Sequence, residues 1–419
     1  MRRLFAWLPG FLLGSSLFIP VSALDRIERP SPAPAGGALD NAAVASLSVV
    51  RPEPDTPSVE SLLLAPLQAL QQGGDLGSAI AQIDSVIARH PNFRLAHLIK
   101  GDLLLAHRQP LDAIGAGAPR AEPLQDLRDE AVARLTRQQT ERPHDRVPKY
   151  LLQLTPEQRH AFVIDIDHAT LYVFENRDGV PVYVTDFYIS HGKNGADKLK
   201  EGDKRTPLGV YHITKALPGQ KLPDFYGPGA YPINYPNEWD QRENRDGYGI
   251  WLHGTPSDTY SRAPRASDGC VVLANPDFEA LGQFVDVGTT PVIIAPHVEW
   301  VDSVGREQLR AELLGQVESW RSDWQSRDVE RYLQHYGQSF SDGKQDLGKW
   351  ASRKRQVNEG KTWIEVDLVG VSAFLHPGRD DLAVVHFEQD YRSNNLSNRM
   401  KKRQYWQREN GQWRIVYEG

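Results

Sequence analysis

Two short stretches hold the residues best suited to covalent chemistry, Trp251-Leu252-His253-Gly254-Thr255 and Ser267-Asp268-Gly269-Cys270-Val271-Val272. Cys270 is the only cysteine of the chain. A lone cysteine is ordinarily a small buried hydrophobe, but three local features set this one apart. Gly269 lets the backbone turn sharply and present successive amides, as an oxyanion site requires. Cys270 opens an apolar strand straight after a polar, arginine-containing loop from Ser261 to Asp268, which puts its sulfur at a strand end. His253 likewise closes an apolar strand and precedes a glycine. A thiol with a pKa of about 8.5 is mostly protonated at neutral pH, and an adjacent imidazole raises its thiolate fraction. Spacing alone does not establish that the two groups meet.

Other reaction hardware is missing. The sequence has no Gly-x-x-x-x-Gly-Lys phosphate loop, no His-Glu-x-x-His metal helix, no Gly-x-Ser-x-Gly elbow and no dinucleotide glycine fingerprint, which argues against phosphoryl transfer, hydride transfer and zinc hydrolysis. A single cysteine excludes an internal disulfide framework and a multi-cysteine zinc site. No cofactor and no metal ion are expected. With 48 basic against 54 acidic residues the formal charge is −6, so a non-specific grip on nucleic acid is not expected either.

The elements that must position these groups follow from length and periodicity. A chain of 419 residues, 40% apolar and 24% charged, is a soluble globular protein too long for one core. Arg2 and Arg3 precede an apolar run from Leu4 to Ile19 and then Val21-Ser22-Ala23, the order of a cleaved secretory signal over residues 1–23. No later stretch is apolar enough to span a membrane. Residues 24–59, with Pro30, Pro32, Pro34, Pro52, Pro54 and Pro57, read as a linker.

From 60 to 140 the spacing is helical, with Leu63, Leu67, Leu70, Ile80, Ile83, Val86 and Ile87, then Leu95, Ala96, Leu98 and Leu103 after Pro91. Ala79-Ile80 recurs 34 residues on as Ala113-Ile114, which resembles a tetratricopeptide period. Such a short module is either a partner-binding or self-association platform, or a structural cap.

Beyond Pro148 the period drops to two. Phe162, Ile164 and Ile166 alternate with Val163, Asp165 and Asp167, and Arg177-Asp178-Gly179 marks a hairpin. One helix interrupts the strands, with Asn275 as its cap, Pro276 in the first turn, and Phe278, Leu281 and Phe284 on one side. After Arg306 an aromatic helix precedes a meander. Six of the ten tryptophans lie from Trp320 to Trp413, and Asn410-Gly411 signals another hairpin. The fold class is therefore multidomain α+β: a helical module, a mostly-β centre over 150–297 and an α+β tail over 306–419.

His253-Gly254-Thr255, with thirteen residues between His253 and Ser267, then Ser267-Asp268-Gly269-Cys270, resembles the signature of the YkuD-type L,D-transpeptidases. Arg205-Thr206-Pro207-Leu208-Gly209 resembles the Thr-Pro-x-Gly segment upstream in that domain, and the likeness runs from about Ala161 to Pro296. The resemblance implies Cys270 as the acylated nucleophile, His253 as its base and the Gly254 carbonyl as the group orienting the imidazole. Ser267 and Gly269 would shape the loop, with the amides of Gly269 and Cys270 facing the oxyanion. The implied substrate is a peptidoglycan stem tetrapeptide, attacked at the carbonyl of its third residue with loss of the terminal D-alanine.

Three departures stand out. Asp268 replaces the usual histidine, the gap is one residue short, and Val272 sits where arginine or asparagine is common. Recognition of the substrate carboxylate would then fall to Arg262 or Arg265, with Asp268 beside them. The tail resembles an NTF2-like domain, its tryptophans read first as core. The three-part arrangement is similar to the L,D-carboxypeptidases that set cell shape in some Gram-negative bacteria. What the resemblance implies is a periplasmic enzyme that trims or cross-links stems, or handles a lipoprotein linkage. A non-catalytic wall-binding scaffold is the alternative.

Overall fold

The structure is a computed structural model that describes residues 59–71, 75–108, 114–115, 122–139 and 145–419. The expected signal and linker over 1–58, the side chains of Leu67 and Leu70, and Ala113 lie outside the described residues. Among the described residues, no helix is long and apolar enough to cross a membrane.

Four helices, Val59–Gln71, Leu76–Arg89, Arg94–Ala106 and Glu122–Gln139, make up the N-terminal part. Asp75 starts the second by accepting the Gly77 and Ser78 amides at 3.2 and 2.8 Å, which satisfies donors that have no partner inside the helix. Leu63, Leu64, Ile83, Val86, Leu95, Ile99 and Leu103 are fully buried. Their core also takes in Tyr260 and Ala274, from the chain around the thiol. Phe93 lies 4.2 Å from the Tyr260 ring, Asn92 donates to the Ser257 carbonyl at 3.1 Å, and Ser261 donates to Glu130 at 2.5 Å. The helices thus clamp the loop that leads from His253 to Ser267.

The central part holds a five-stranded sheet ordered Val180–Tyr188, Thr170–Arg177, His160–Asp165, Pro291–Ala295 and Gly209–His212. Arg177 pairs with Val180, and Asp178 and Gly179 take φ of 55° and 84°, the positive-φ pair that a two-residue hairpin needs. Both faces of its central strands are buried. Phe162, Ile164, Leu171, Val173 and Val292 pack toward the strands of the thiol, while Ala161, Val163, Tyr172, Phe174 and Ile293 share a core with the C-terminal part. Period-two alternation therefore understates the burial of His160–Asp165, because a second domain covers the face expected to meet water.

A second sheet carries the chemistry, ordered Val271–Val272, Trp251–His253, Gly229–Pro232 and Leu217–Pro218. The helix Asn275–Gly282 buries Phe278 and Leu281. Its cap is the backbone of Ala274, not the Asn275 side chain, whose Oδ1 accepts the Thr255 amide at 2.7 Å instead.

The C-terminal part sets helices Ser303–Ser326, Val329–Leu333 and Leu347–Glu359 against a six-stranded sheet. Its order is Tyr336–Ser341, Gln412–Glu418, Leu396–Glu409, Leu382–Ser393, Ile364–Leu375 and Leu151–Gln153. The last strand comes from ahead of the catalytic region in sequence, pairing Leu151 with Phe374 and Gln153 with Ala373. Asn410 and Gly411 form the hairpin turn with φ of 52° and 78°. Trp320 and Trp406 are fully buried core. Trp350 belongs to the same core and Trp324 packs against it, and both also line a cavity of about 460 Å³ with Tyr332, Lys354 and Tyr391.

Candidate active site

His253 and Cys270 arrive on neighbouring parallel strands. Leu252 pairs with Val271 and His253 with Val272, so Cys270, one place before its strand, falls opposite Trp251. Residues in register share a face and successive residues alternate. His253 and Cys270 therefore lie diagonally on one face of the sheet.

The imidazole is buried, and its Nδ1 lies 2.6 Å from the Gly254 carbonyl oxygen. A carbonyl only accepts, so Nδ1 carries the proton and Nε2 keeps its lone pair. Burial pushes the ring down to about 4, against the pull of the Gly254 bond and with the aid of the Arg262 charge. His253 is thus neutral at pH 7.

The geometry of Gly254 is enforced. A Cβ there would lie 2.4 Å from Asn275 Oδ1 and 2.6 Å from Pro228 Cδ, so only glycine fits. The His253 carbonyl accepts the Leu273 amide at 2.9 Å, fixing the backbone on the other side.

Cys270 is partly exposed and donates to the Gly249 carbonyl at 3.4 Å. Loss of hydration pushes its thiol up to about 11, opposed by the Trp251 amide and helped by the Asp268 carboxylate, while Lys198 and Arg262 pull down. Left alone the thiol is protonated at neutral pH and needs a base to become a nucleophile.

The loop before it is held from several directions. Ser267 donates to the Cys270 carbonyl at 2.6 Å and accepts the Gly269 amide at 3.1 Å. The Gly269 amide, expected to face an oxyanion, is thus engaged within the turn by Ser267 Oγ. Gly269 has φ +126°, and a Cβ there would meet the Arg205 carbonyl at 2.8 Å. Thr206 donates to the Gly269 carbonyl at 3.0 Å and accepts the Gly192 amide at 2.9 Å. This double link is what the Thr-Pro-x-Gly segment does for the site.

Of the two arginines, Arg262 is the one whose charge pulls the thiol down. Its carbonyl accepts Tyr188 Oη at 2.9 Å and Ser190 Oγ at 3.1 Å, and its guanidinium sits 4.8 Å over the Phe225 ring. Arg265 is exposed on the adjoining strand, and its charge is felt by His191, with which it is in register. Asp268 is exposed and pairs with Lys193 at 3.2 Å.

Several residues near the thiol escaped the sequence reading. Tyr226 stands edge-on to His253 at 5.1 Å, with Phe225 at 5.7 Å, and both come from a Gly/Pro-rich stretch without periodic signal. Lys198 is buried, its ammonium donating to Asp203 at 2.8 Å and to the Lys200 carbonyl at 3.0 Å. Burial pushes the Asp203 carboxyl up, but Lys198 and three backbone amides outweigh it and bring it down to about 2. The carboxylate therefore stays ionised and pins the lysine. A lysine in a polar loop gives no sequence cue to such burial.

Residues 159–294 match the family model of the L,D-transpeptidase catalytic domain, YkuD, and residues 312–419 match that of the Cds6 C-terminal NTF2-like domain. The chain belongs to the YkuD L,D-transpeptidase family. Among solved structures it is similar to Bd1075 of Bdellovibrio bacteriovorus, at 30% identity and a TM-score of 0.59, over 66% of this chain and 98% of that one. It shares its fold with Pgp2 of Campylobacter jejuni, a helical cell shape determining protein, at 23% identity and a TM-score of 0.56, over 64% of this chain and 95% of that one. No curated protein matches it.

Proposed function

We propose that the chain is a periplasmic cysteine enzyme that cleaves the L,D bond of peptidoglycan stem tetrapeptides, with Cys270 as nucleophile and His253 as base. The observation that carries this reading is the Nδ1 bond from His253 to the Gly254 carbonyl. It leaves a neutral, correctly oriented Nε2 on the sheet face that also presents the thiol.

In the proposed reaction Nε2 takes the thiol proton as sulfur attacks the carbonyl carbon of the third stem residue. The carbonyl oxygen gathers negative charge facing the Cys270 amide. The carbon–nitrogen bond to D-alanine breaks, and the imidazolium returns its proton to the leaving amine. Water, activated by the same imidazole, then cleaves the thioester and restores the thiol. An amine acceptor in place of water gives a cross-link. Arg262, whose charge lowers both the His253 ring and the Cys270 thiol, is proposed to meet the substrate carboxylate.

Trimming is the favoured outcome. The two-domain match and the shared fold with a cell shape determinant support an L,D-carboxypeptidase that acts on cell shape. Incubating the purified protein with disaccharide tetrapeptide and weighing the products tests it. Loss of one alanine supports trimming, and joined stems indicate transpeptidation. Unaltered tetrapeptide sinks the enzymatic reading in favour of a scaffold.

A further inference from the structure

The turn after strand His160–Asp165 and the segment after Pro291–Ala295 bring a carboxylate and two imidazoles together, a grouping that the scattered sequence positions do not announce. Asp165 Oδ2 lies 3.0 Å from His168 Nδ1 and 3.8 Å from His297 Nδ1. The three ligand atoms all lie within 4.8 Å of one another, and the two rings are 5.1 Å apart between centroids. The carboxylate is already aimed. It is 1% exposed, with Oδ1 accepting the His168 amide and Oδ2 the Val298 amide, each at 3.0 Å. The His168 and His297 side chains are 26% and 55% exposed, which leaves an entry path from solvent.

We propose that Asp165, His168 and His297 bind one divalent transition metal ion of the zinc class. This goes beyond the peptidoglycan reading and does not depend on it. Zinc holds nitrogen and oxygen ligands at about 2.0–2.2 Å in a tetrahedron, which sets neighbouring donors roughly 3.4 Å apart. The two observed separations from Oδ2 bracket that value, so small rotations of the exposed rings close the site. Two imidazoles and one carboxylate suit zinc, whereas magnesium and calcium prefer oxygen throughout. Amide bonds to the ligating carboxylate supply the outer support that such sites use. The proton now on His168 Nδ1 moves to Nε2 by exchange with solvent, freeing Nδ1 to ligate with no net change in a neutral ring. Water fills the fourth position. The ion ties the hairpin turn to the chain at His297, whose carbonyl accepts Tyr150 Oη at 2.9 Å.

The test is calorimetric titration of zinc chloride into the metal-free full chain, made Cys270→Ala so that the thiol cannot compete. One zinc per chain is expected, bound at least tenfold more weakly after His297→Ala, with His168→Ala behaving alike. Because His297 is exposed, its variant keeps the fold, and zinc should raise the melting temperature of the parent but not of that variant. No zinc uptake by the parent, or equal affinity and equal thermal shift in His297→Ala, overturns the proposal.

Discussion

The Thr206 hydroxyl donates to the Gly269 carbonyl at 3.0 Å while it accepts the Gly192 amide at 2.9 Å. One buried side chain thus joins the turn that presents Cys270 to a strand 78 residues earlier in the chain. Thr206→Val keeps the shape and removes both bonds, leaving a buried carbonyl and a buried amide unpaired. Each such group costs roughly 1–3 kcal/mol. The midpoint of denaturant unfolding should drop accordingly, and turnover should fall by at least about tenfold, since a small displacement of the thiol is expensive. Unchanged stability and turnover would refute the link.

Cys270→Ala should abolish tetrapeptide trimming, by at least on the order of 10³-fold, because it removes the bond-forming atom. Its stability should stay within about 1 kcal/mol of the parent, as the sulfur is partly exposed and gives up one bond. Mass analysis of products and a thermal melt check the two halves. Residual trimming near parent levels would remove Cys270 from the mechanism.

His253 is held neutral down to about pH 4 in the folded chain, against an ordinary 6.5. Between those values the unfolded chain binds the extra proton, so this ring costs no stability above pH 6.5 and destabilises progressively as pH falls toward 4. His191, also pushed to about 4 by burial, acts with the same sign. Asp240 and Asp277, raised by burial to about 6, act oppositely and favour the folded state on the acid side. In His253→Gln the stability lost between pH 7 and pH 5 should therefore be smaller than in the parent. An equal loss would contradict the assignment. The acid limb of kcat/KM should likewise lie near pH 4 with little change from pH 6 to 8.

Gly254→Ala inserts a carbon 2.4 Å from Asn275 Oδ1 and 2.6 Å from Pro228 Cδ. Overpacking of this kind costs typically about 1–3 kcal/mol. It would also shift the carbonyl that orients His253, so kcat should fall more steeply than KM changes. A fully active Gly254→Ala enzyme would show that the carbonyl's placement is unimportant.

Asp268 pairs with Lys193 in the open, the two side chains 68% and 50% exposed. Such a pair contributes little, so Asp268→Ala should change stability by less than about 0.5 kcal/mol. Its carboxylate does push the thiol up, so its removal should speed alkylation of Cys270 by iodoacetamide at pH 8. A slower or equal rate would exclude that coupling.

The hairpins at Asp178-Gly179 and Asn410-Gly411 were legible because two-residue turns demand residues that tolerate positive φ. The pair of strand ends bearing His253 and Cys270 was legible because an apolar run stops at a glycine or begins after one. What could not be read depends on partners distant in sequence. Lys198 is pinned by Asp203, Asn275 secures the His253 loop when its type suggests a helix cap, and the Gly269 amide is taken by Ser267. The two-sided burial of His160–Asp165 needs the C-terminal domain on its outer face, and no local pattern reports a neighbour supplied 200 residues later.

The strand Leu151–Gln153 completes the C-terminal sheet, and Arg306 donates to its Leu151 and Leu152 carbonyls at 2.9 and 2.7 Å. During synthesis that short segment leaves the ribosome long before the strand Ile364–Leu375 that receives it, so neither part can close its hydrophobic surface until translation is nearly done. A fragment starting at residue 312 would lack its rim and offer raw backbone to any passing chain.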